Sequence, residues 1–449
     1  MLETIVALAT APMKAALAVI RLSGSDCFEI TSKVFSRDIT KTEKRTIYYG
    51  DILNKEENRV IDEVILLAYV APHSFTGENS VEIICHGSVL IAQEIIAELI
   101  KNGARYAVNG EFSSRGFLNK KFDLIQAEAI NDAINATTSE AKNLALMSIK
   151  GRTTGLVMPI KEKIADILSL IEVNIDYPEF YDIEVATKEK IEHDVSEIVK
   201  LLDETLKNGY KGNIIKDGLK VALVGKPNSG KSTLLNSLLK EKKAIVTDIP
   251  GTTRDIVEGQ ISLNGVVLHL MDTAGIRESD NLIEKVGIEK SKEAIENADL
   301  ILYVVDLNDN EEDQNLVDLI KDKRVIKVLN KSDLNSDFDR KKEQKYAGTA
   351  VISALNEDIN ELKQEILRVL NLKEENYINP SINNMRELGL LEQVKSCLND
   401  ALKENQKDMS LDIISVNLTN AYNLVLEILG ETADTDVSKE IFARFCVGK

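Results

Sequence analysis

The sequence predicts a multidomain chain: an α/β unit with a parallel sheet, inserted into a helical region, all of it following a β-rich N-terminal segment. Three observations predict this. At 449 residues the chain exceeds one ordinary domain and calls for two or three. Between residues 215 and 373, short apolar runs alternate with helical patterns, the signature of crossover units on a parallel sheet. On both sides of that stretch, apolar residues recur at spacings of three and four.

Taken in order, Leu17–Leu22, Val60–Val70 and Val81–Ile84 are rich in β-branched residues and bounded by turn formers, so residues 1–118 read as strands. Phe122, Ile125, Ala129 and Ala133 then keep helical spacing. Val221–Val224, Val267–Met271, Leu300–Val305 and Val325–Leu329 read as buried strands. Helical spacing returns with Met385, Leu388, Leu391, Val394, Leu398 and Leu402, and again with Leu418, Tyr422, Val425 and Leu429. Helices on both flanks make a helical domain in two sequence pieces, with the α/β unit grown from one of its loops. Internal repeats and low-complexity tracts are absent from the sequence.

Hydrophobic residues at 44% and charged residues at 29% are the profile of a soluble globular protein. No apolar run reaches the roughly 18–20 residues of a membrane span. Met1–Thr4 lacks the basic start of a secretory signal, so a cytoplasmic protein is expected. Cys27, Cys85, Cys397 and Cys446 are far apart, which argues against a zinc site or a disulfide framework. His73, His193 and His269 read as structural. The net charge of −18 speaks against non-specific coating of nucleic acid and leaves room for a local basic patch.

Gly225-Lys226-Pro227-Asn228-Ser229-Gly230-Lys231-Ser232 has the spacing of a phosphate loop, with a strand before it and a helical run from Thr233 after it. Glycines allow the backbone to wrap phosphates, and the loop amides plus the helix N-terminus hold the negative charge. Lys231 should reach the β- and γ-phosphates, and the Ser232 hydroxyl should bind Mg²⁺. This loop alone also serves ATPases; further signals along the chain make it specific. Asp272-Thr273-Ala274-Gly275 follows a strand, where an Asp can hold Mg²⁺ through water and the Gly275 amide can meet the γ-phosphate. Asn330-Lys331-Ser332-Asp333 follows the next strand but one, and Asp333 can accept from guanine N1–H and its exocyclic amine, which adenine does not present. Ser353-Ala354-Leu355 fits the last guanine-contact loop, and Gly251-Thr252-Thr253-Arg254-Asp255 lies where a switch loop would supply a Mg²⁺-binding Thr. The ordered set predicts a GTPase.

After Gly275, small signalling GTPases carry a Gln that orients the attacking water; here the position is Ile276, which orients nothing. Hydrolysis is therefore either very slow or served by another group, with Arg254, Arg277, Glu278 and Glu284 nearby in sequence. Asn228 has two readings: ligand of a monovalent cation beside the phosphates, supplying the positive charge an arginine finger supplies elsewhere, or a loop-stabilising residue.

Beyond these motifs, the chain resembles the tRNA-modification GTPase family MnmE (TrmE) along its full length. Ser74-Phe75-Thr76-Gly77-Glu78, the run Gly110–Asn119, Leu124–Ile130, Ile175–Pro178 and Phe445-Cys446-Val447-Gly448-Lys449 carry the resemblance. It implies a folate-binding, aminomethyltransferase-like and dimerising N-terminal domain at 1–118. A helical domain follows in two parts at 119–214 and 374–449, with a Ras-like P-loop G domain at 215–373 inserted between them. It implies K⁺-dependent GTP hydrolysis when two G domains meet in the homodimer. With the flavoprotein MnmG (GidA), such a protein adds a (carboxymethyl)aminomethyl group to carbon 5 of the wobble uridine of certain tRNAs. The carbon comes from a tetrahydrofolate derivative (5-formyl- or 5,10-methylene-tetrahydrofolate).

Position by position, the resemblance implies folate contacts at Arg21, Glu82, Lys121 and Lys449. Arg and Lys suit glutamate carboxylates, and a Glu suits a pterin's adjacent N–H groups. Without the resemblance these read as surface or strand-face charges. It implies a K⁺ site at Asn228, Thr247, Ile249 and Thr252, the middle pair through backbone carbonyls, with Mg²⁺ on Ser232 and Thr253. Nucleotide contacts extend through Thr247, Asp248, Ile249, Pro250, Gly251, Thr252 and Thr253. Glu284 takes the place of the missing Gln, positioning the water through a bridge. The segment Pro12–Leu17 departs from the Gly-rich stretch usual in the family, which bears on the mouth of the folate pocket. Cys446 lies fourth from the end, but Gly448 and Lys449 suit a prenylation box poorly; a reactive thiol and a structural thiol remain. The alternative function is a GTPase assembly factor that binds ribosomal RNA without covalent chemistry, for which a basic RNA-binding domain is expected and the acidic chain is unsuited. A membrane-remodelling GTPase would need an amphipathic basic or lipid-anchor segment.

Overall fold

The computed structural model describes residues 3–177, 185–240, 259–272, 294–308, 313–334, 346–432, 435–445 and 447–448. They form two compact units. The first comprises Met1–Asn131, Ile149–Val157 and Thr419–Lys449. Its sheet has strands β1 (Ile5–Leu8), β2 (Leu17–Ser23), β3 (Thr46–Asn54), β4 (Arg59–Tyr69), β5 (Ser80–His86) and β6 (Arg105–Tyr106). Their order is β3-β4-β5-β2-β1-β6, antiparallel except for the β1–β6 pair.

The alternation read in the sequence is the pleat. Val64, Leu66 and Ala68 of β4 point into the core, as do Val81, Ile83 and Cys85 of β5. That face is covered by helices Cys27–Val34 and Val89–Lys101, through Phe28, Ile30, Val34, Ile95 and Leu99. These helices, and a third at Glu111–Leu118, lie in a segment the sequence presents as β-rich. The C-terminal end of the chain closes the unit. Ile441, Phe442 and Phe445 pack on Leu124 and Ala127, and Val447 packs against Ile5, Ala7 and Phe112. Gly110, at φ 66°, lets the Phe442 carbonyl approach; a Cβ there would collide with that oxygen.

The second unit comprises Asp132–Ser148 and Met158–Leu418. Its sheet has β7 (Leu219–Val224), β8 (Gly259–Leu263), β9 (Val266–Asp272), β10 (Leu300–Asp306), β11 (Val325–Asn330) and β12 (Gly348–Val351) in the order β12-β11-β10-β7-β9-β8. All neighbours are parallel except the β8–β9 hairpin. β7, β10 and β11 are near-continuous apolar runs because both faces are covered, which is why they read so clearly in the sequence. The long helix Lys188–Asp217, capped by Thr187 Oγ1 accepting from the Lys190 amide at 3.2 Å, packs along helix Met385–Gln406. Leu144, on helix Ser139–Ile149, joins the core of the parallel sheet. Among the described residues, no helix is long and apolar enough to cross a membrane.

Candidate functional site

The C-terminal ends of β7, β10 and β11 converge on one edge of the parallel sheet, the edge where α/β folds bind ligands. Between β7 and helix Lys231–Leu239 the chain makes the Gly225–Gly230 turn. Two glycines are sterically required there. A Cβ on Gly225 would strike the Val304 carbonyl oxygen, and one on Gly230, at φ 94°, would strike the Asn330 side-chain nitrogen. Asn228 also takes a left-handed backbone, φ 62°, which Asn tolerates better than most residues. Its side chain is exposed.

The Lys231 ammonium folds back on the loop and donates to the carbonyls of Gly225 at 2.9 Å and Lys226 at 2.8 Å. Ser232 and Thr233 are exposed on the first turn of the helix. Asn330 joins the loops. Its amide nitrogen donates to the Ser229 carbonyl at 3.0 Å, and its amide oxygen accepts from the Ala354 backbone N–H at 3.0 Å, both buried. One side chain thus ties the phosphate loop to the Ser353–Leu355 loop.

Ser353 Oγ donates to Asp333 at 2.6 Å and in turn accepts from the Asn356 amide at 3.3 Å, so the Asp333 carboxylate is held by the loop beside it. Lys331, at φ 67°, pairs with Asp306 at 2.7 Å. This bond, together with donation from the Asn308 backbone and side chain, holds the Asp306 carboxyl below its usual range. A cavity of about 420 Å³ is lined by Thr233, Ala354 and Leu355 among others. The sheet therefore brings together Asn228, Ser229, Gly230, Lys231, Ser232, Thr233, Asn330, Lys331, Asp333, Ser353, Ala354 and Leu355 around one end. Thr247, Asp248, Ile249, Pro250, Gly251, Thr252, Thr253, Thr273, Ala274, Gly275 and Glu284 lie outside the described residues, as do Cys446 and Lys449. Asp272 closes β9, and only its backbone is described.

In the first unit, β2 and β5 place Arg21 and Glu82 in register. Their side chains pair at 2.8 Å and line a cavity of about 390 Å³ with Lys121, Arg45, Tyr69, His73 and Phe75. Arg21 also stacks over Phe75, with 5.6 Å to the ring centroid, and donates to the Gly448 carbonyl at 3.1 Å. The residue before Lys449 therefore reaches the pocket. Lys121 donates to the Pro72 carbonyl at 2.8 Å. Tyr69 lies 3.4 Å from the second Glu82 oxygen; burial, then the Glu82 charge, raises the Tyr69 hydroxyl's pKa.

The floor behind this pocket is polar and tightly paired. Arg115, almost fully buried, bridges Glu78 at 3.1 Å and Glu111 at 3.0 Å, and Glu78 accepts from Ser23 at 2.7 Å. His73, which reads as structural in the sequence, lines the pocket instead, and Arg45 and Tyr69 join it without having stood out in the sequence. Their signal was available: Tyr69 ends a strand two positions beyond Leu67, the register partner of Glu82.

The family model described as GTP-binding protein TrmE N-terminus matches residues 4–121, and that for the MnmE helical domain matches residues 124–446. The tRNA modification GTPase MnmE of Bacillus mycoides is 40% identical over 462 residues, covering 100% of this chain and 99% of its own. This chain belongs to the MnmE (TrmE) family. MnmE of Mycoplasma mycoides is 41% identical with 100% and 99% covered, and that of Bacillus subtilis 37% with 100% of both. Among solved structures, Aquifex aeolicus Era bound to GDP·AlF₄⁻ is 29% identical over 40% of this chain and 66% of its own, with a TM-score of 0.27.

Proposed function

We propose that the chain hydrolyses GTP with Mg²⁺ and K⁺ and couples that cycle to tRNA modification. As a homodimer with the flavoprotein MnmG, it serves the addition of a (carboxymethyl)aminomethyl group to carbon 5 of the wobble uridine, with a tetrahydrofolate derivative as carbon donor. Membership of the MnmE family supports a GTP hydrolase of tRNA modification. The single observation that carries the nucleotide reading is the Asn330 tie. It joins the phosphate loop to the loop that follows the guanine-selecting Asp333, so phosphate and base are gripped by one connected element.

On this reading Lys231 exchanges two loop carbonyls for phosphate oxygens, and Asp333 accepts from guanine N1–H and its amine. Ser232, with its exposed hydroxyl, and Thr253 are the residues for Mg²⁺, whose contribution is charge neutralisation at the phosphates. Asn228, Thr247, Ile249 and Thr252 are the residues for K⁺. Glu284 orients the water in place of the absent Gln.

The first-unit pocket suits a folate in its chemistry. Arg21 and Lys121 offer cations for the glutamate carboxylates. Glu82 pairs with Arg21 through one oxygen and meets Tyr69 through the other at a long 3.4 Å, which leaves that second oxygen lightly held and suited to a pterin N–H. The domain plan proposed for these roles is 1–118 for folate and dimerisation, 215–373 for nucleotide, and 119–214 with 374–449 for the helical frame. Titration with 5-formyl-tetrahydrofolate tests the assignment against an RNA-binding assembly factor. Saturable binding in the micromolar range is expected; no binding at high micromolar folate removes the modification reading's main support. Exchanging K⁺ for Na⁺ should slow hydrolysis strongly, and equal rates in both salts would discard the cation-assisted mechanism.

A further inference from the structure

Beside the Arg21–Glu82 pocket, the first unit has a second cavity, of about 720 Å³, with no role assigned to it. Two stretches of chain line it, one with Phe117, Lys120 and Phe122, the other with Glu427 and Leu429. We propose that this cavity takes one unstacked uridine nucleotide of an RNA loop, its base between the two stretches and its phosphate at Lys120. The site rests on the wobble-uridine reading given above and supplies the place of the acceptor nucleotide.

A carbon carried by a folate in the first pocket can reach a uridine only if the nucleotide enters next to it. The two cavities are neighbours in this sense. Lys121 lines both. Phe75 lines the first and Phe122 the second, and their ring centroids are 5.6 Å apart. Volumes of about 390 and 720 Å³ both fall within the roughly 300–1,000 Å³ of small-molecule sites, so each cavity can hold a ligand of its own.

The run Phe117-Leu118-Asn119-Lys120-Lys121-Phe122 sets two lysines between two aromatic rings. That composition serves single-stranded nucleic acid, with rings for a base and ammonium groups for phosphate. Its backbone is fixed: the Lys120 N–H donates to the Phe117 carbonyl at 2.9 Å, the Lys121 N–H to the Gly116 carbonyl at 2.9 Å, and the Asn119 side chain to the Thr76 carbonyl at 2.7 Å. Lys120 takes a φ of 56°, a region where Gly or Asn is more usual than a long side chain. It is exposed, and among the described residues its ammonium has no partner.

The carboxylates of the cavity divide by how they are held. Asp123 accepts from the Thr154 hydroxyl at 2.7 Å and the Gln126 N–H at 2.8 Å, and Glu431 is engaged as well. Glu427 is half-buried and its carboxylate has no partner among the described residues. Glu427 is therefore the acceptor for the uracil N3–H. Cytosine presents a lone pair at N3, which a carboxylate repels, so the site favours uridine.

The test uses the full-length protein with 5-formyl-tetrahydrofolate bound. RNA hairpins of anticodon-loop type, identical except for U or C at the first anticodon position, are titrated by fluorescence anisotropy. The uridine hairpin should bind roughly tenfold tighter or more, as expected for a bond to a charged group set against a repulsion. Glu427→Gln, whose amide can serve either base, should remove that preference. Lys120→Gly suits the left-handed backbone and removes the cation; it should weaken both hairpins alike and reduce the slope of log affinity against log salt by about 0.7. Neither variant should alter the affinity for 5-formyl-tetrahydrofolate. An iodine-bearing uridine at the same position should photocrosslink within residues 117–126 or 427–432. Absent hairpin binding, equal binding of the two hairpins, a preference unchanged in Glu427→Gln, an unchanged salt slope in Lys120→Gly, or a crosslink elsewhere would each overturn the site while leaving the folate pocket intact. A wild-type protein that fails to bind the folate would take down the wobble-uridine reading and this site together.

Discussion

Asn330 is the residue on which the nucleotide site turns, and replacing it with Ala is a quantitative test. The side chain is almost fully buried and spends both ends of its amide on protein: the Ser229 carbonyl and the Ala354 backbone N–H, each at 3.0 Å. Removing it orphans one buried acceptor and one buried donor. At roughly 1–3 kcal/mol for each unsatisfied group, less some relief from entering water, the loss is about 2–4 kcal/mol. That loss falls on the alignment of the phosphate loop with the base-contact loop. Expressed as affinity, it is roughly 30- to 1,000-fold. Equilibrium titration with a fluorescent GDP analogue reads this directly, because it needs no hydrolysis. Asn330→Asp should be worse than Ala, since a carboxylate oxygen would then face the Ser229 carbonyl. Affinity within threefold of wild type in Asn330→Ala would refute the brace, and with it the view that one element grips base and phosphate.

The remaining predictions span both units. Arg115→Met leaves the carboxylates of Glu78 and Glu111 without their buried cation and should cost about 3–5 kcal/mol, read by denaturation of the full chain. Burial pushes the Glu111 carboxyl up, but bonds from Arg105, the Val108 amide and Arg115 outweigh it and leave it below the usual 4.5. Its stabilisation is therefore complete above that pH and lost as pH falls further, and Arg115→Met should shrink this acid-side loss; an unchanged acid limb would contradict it. Glu284→Ala should keep GTP affinity within a few-fold while lowering turnover about 10²- to 10⁴-fold, in steady-state phosphate release. Arg21→Ala should weaken 5-formyl-tetrahydrofolate at least about tenfold by calorimetry, as expected for a lost bond to a charged group, without changing GTP affinity.

Much of this was legible in the sequence, and the reasons are specific. β7, β10 and β11 stood out because a parallel strand covered on both faces is apolar almost throughout, with Lys220 in β7 and Lys327 in β11 the polar residues inside the runs. The phosphate loop stood out because its glycines answer to hard contacts, Val304 behind Gly225 and Asn330 behind Gly230. The helix Val89–Lys101 did not, since its run of Val, Leu and Ile satisfies a buried strand as well as a buried helix. Its 13-residue length is the one signal that separates them. Glu111–Leu118 contains Gly116 and two serines, and weak helix formers hide a short helix held by tertiary contacts.

At the site, residue types were readable and partnerships were not. Asn330 belongs to a motif read for its Asp, but its tie to Ser229 and Ala354 spans 101 and 24 positions of sequence. Asp306 lies just past the apolar run Leu300–Val305, and only the pairing of β10 with β11 brings Lys331 to it. Arg21 and Glu82 face each other only because β2 and β5 pair in that register.

We propose that a guanine-nucleotide switch and a folate pocket in one chain serve the wobble uridine of tRNA. Mass spectrometry of tRNA nucleosides tests it most directly, in cells lacking this protein and in cells carrying Asn330→Ala or Arg21→Ala instead. Loss of the aminomethyl-type uridines modified at carbon 5 is expected in the deletion, and a deficit in each variant. Unaltered wobble uridines in the deletion would contradict it.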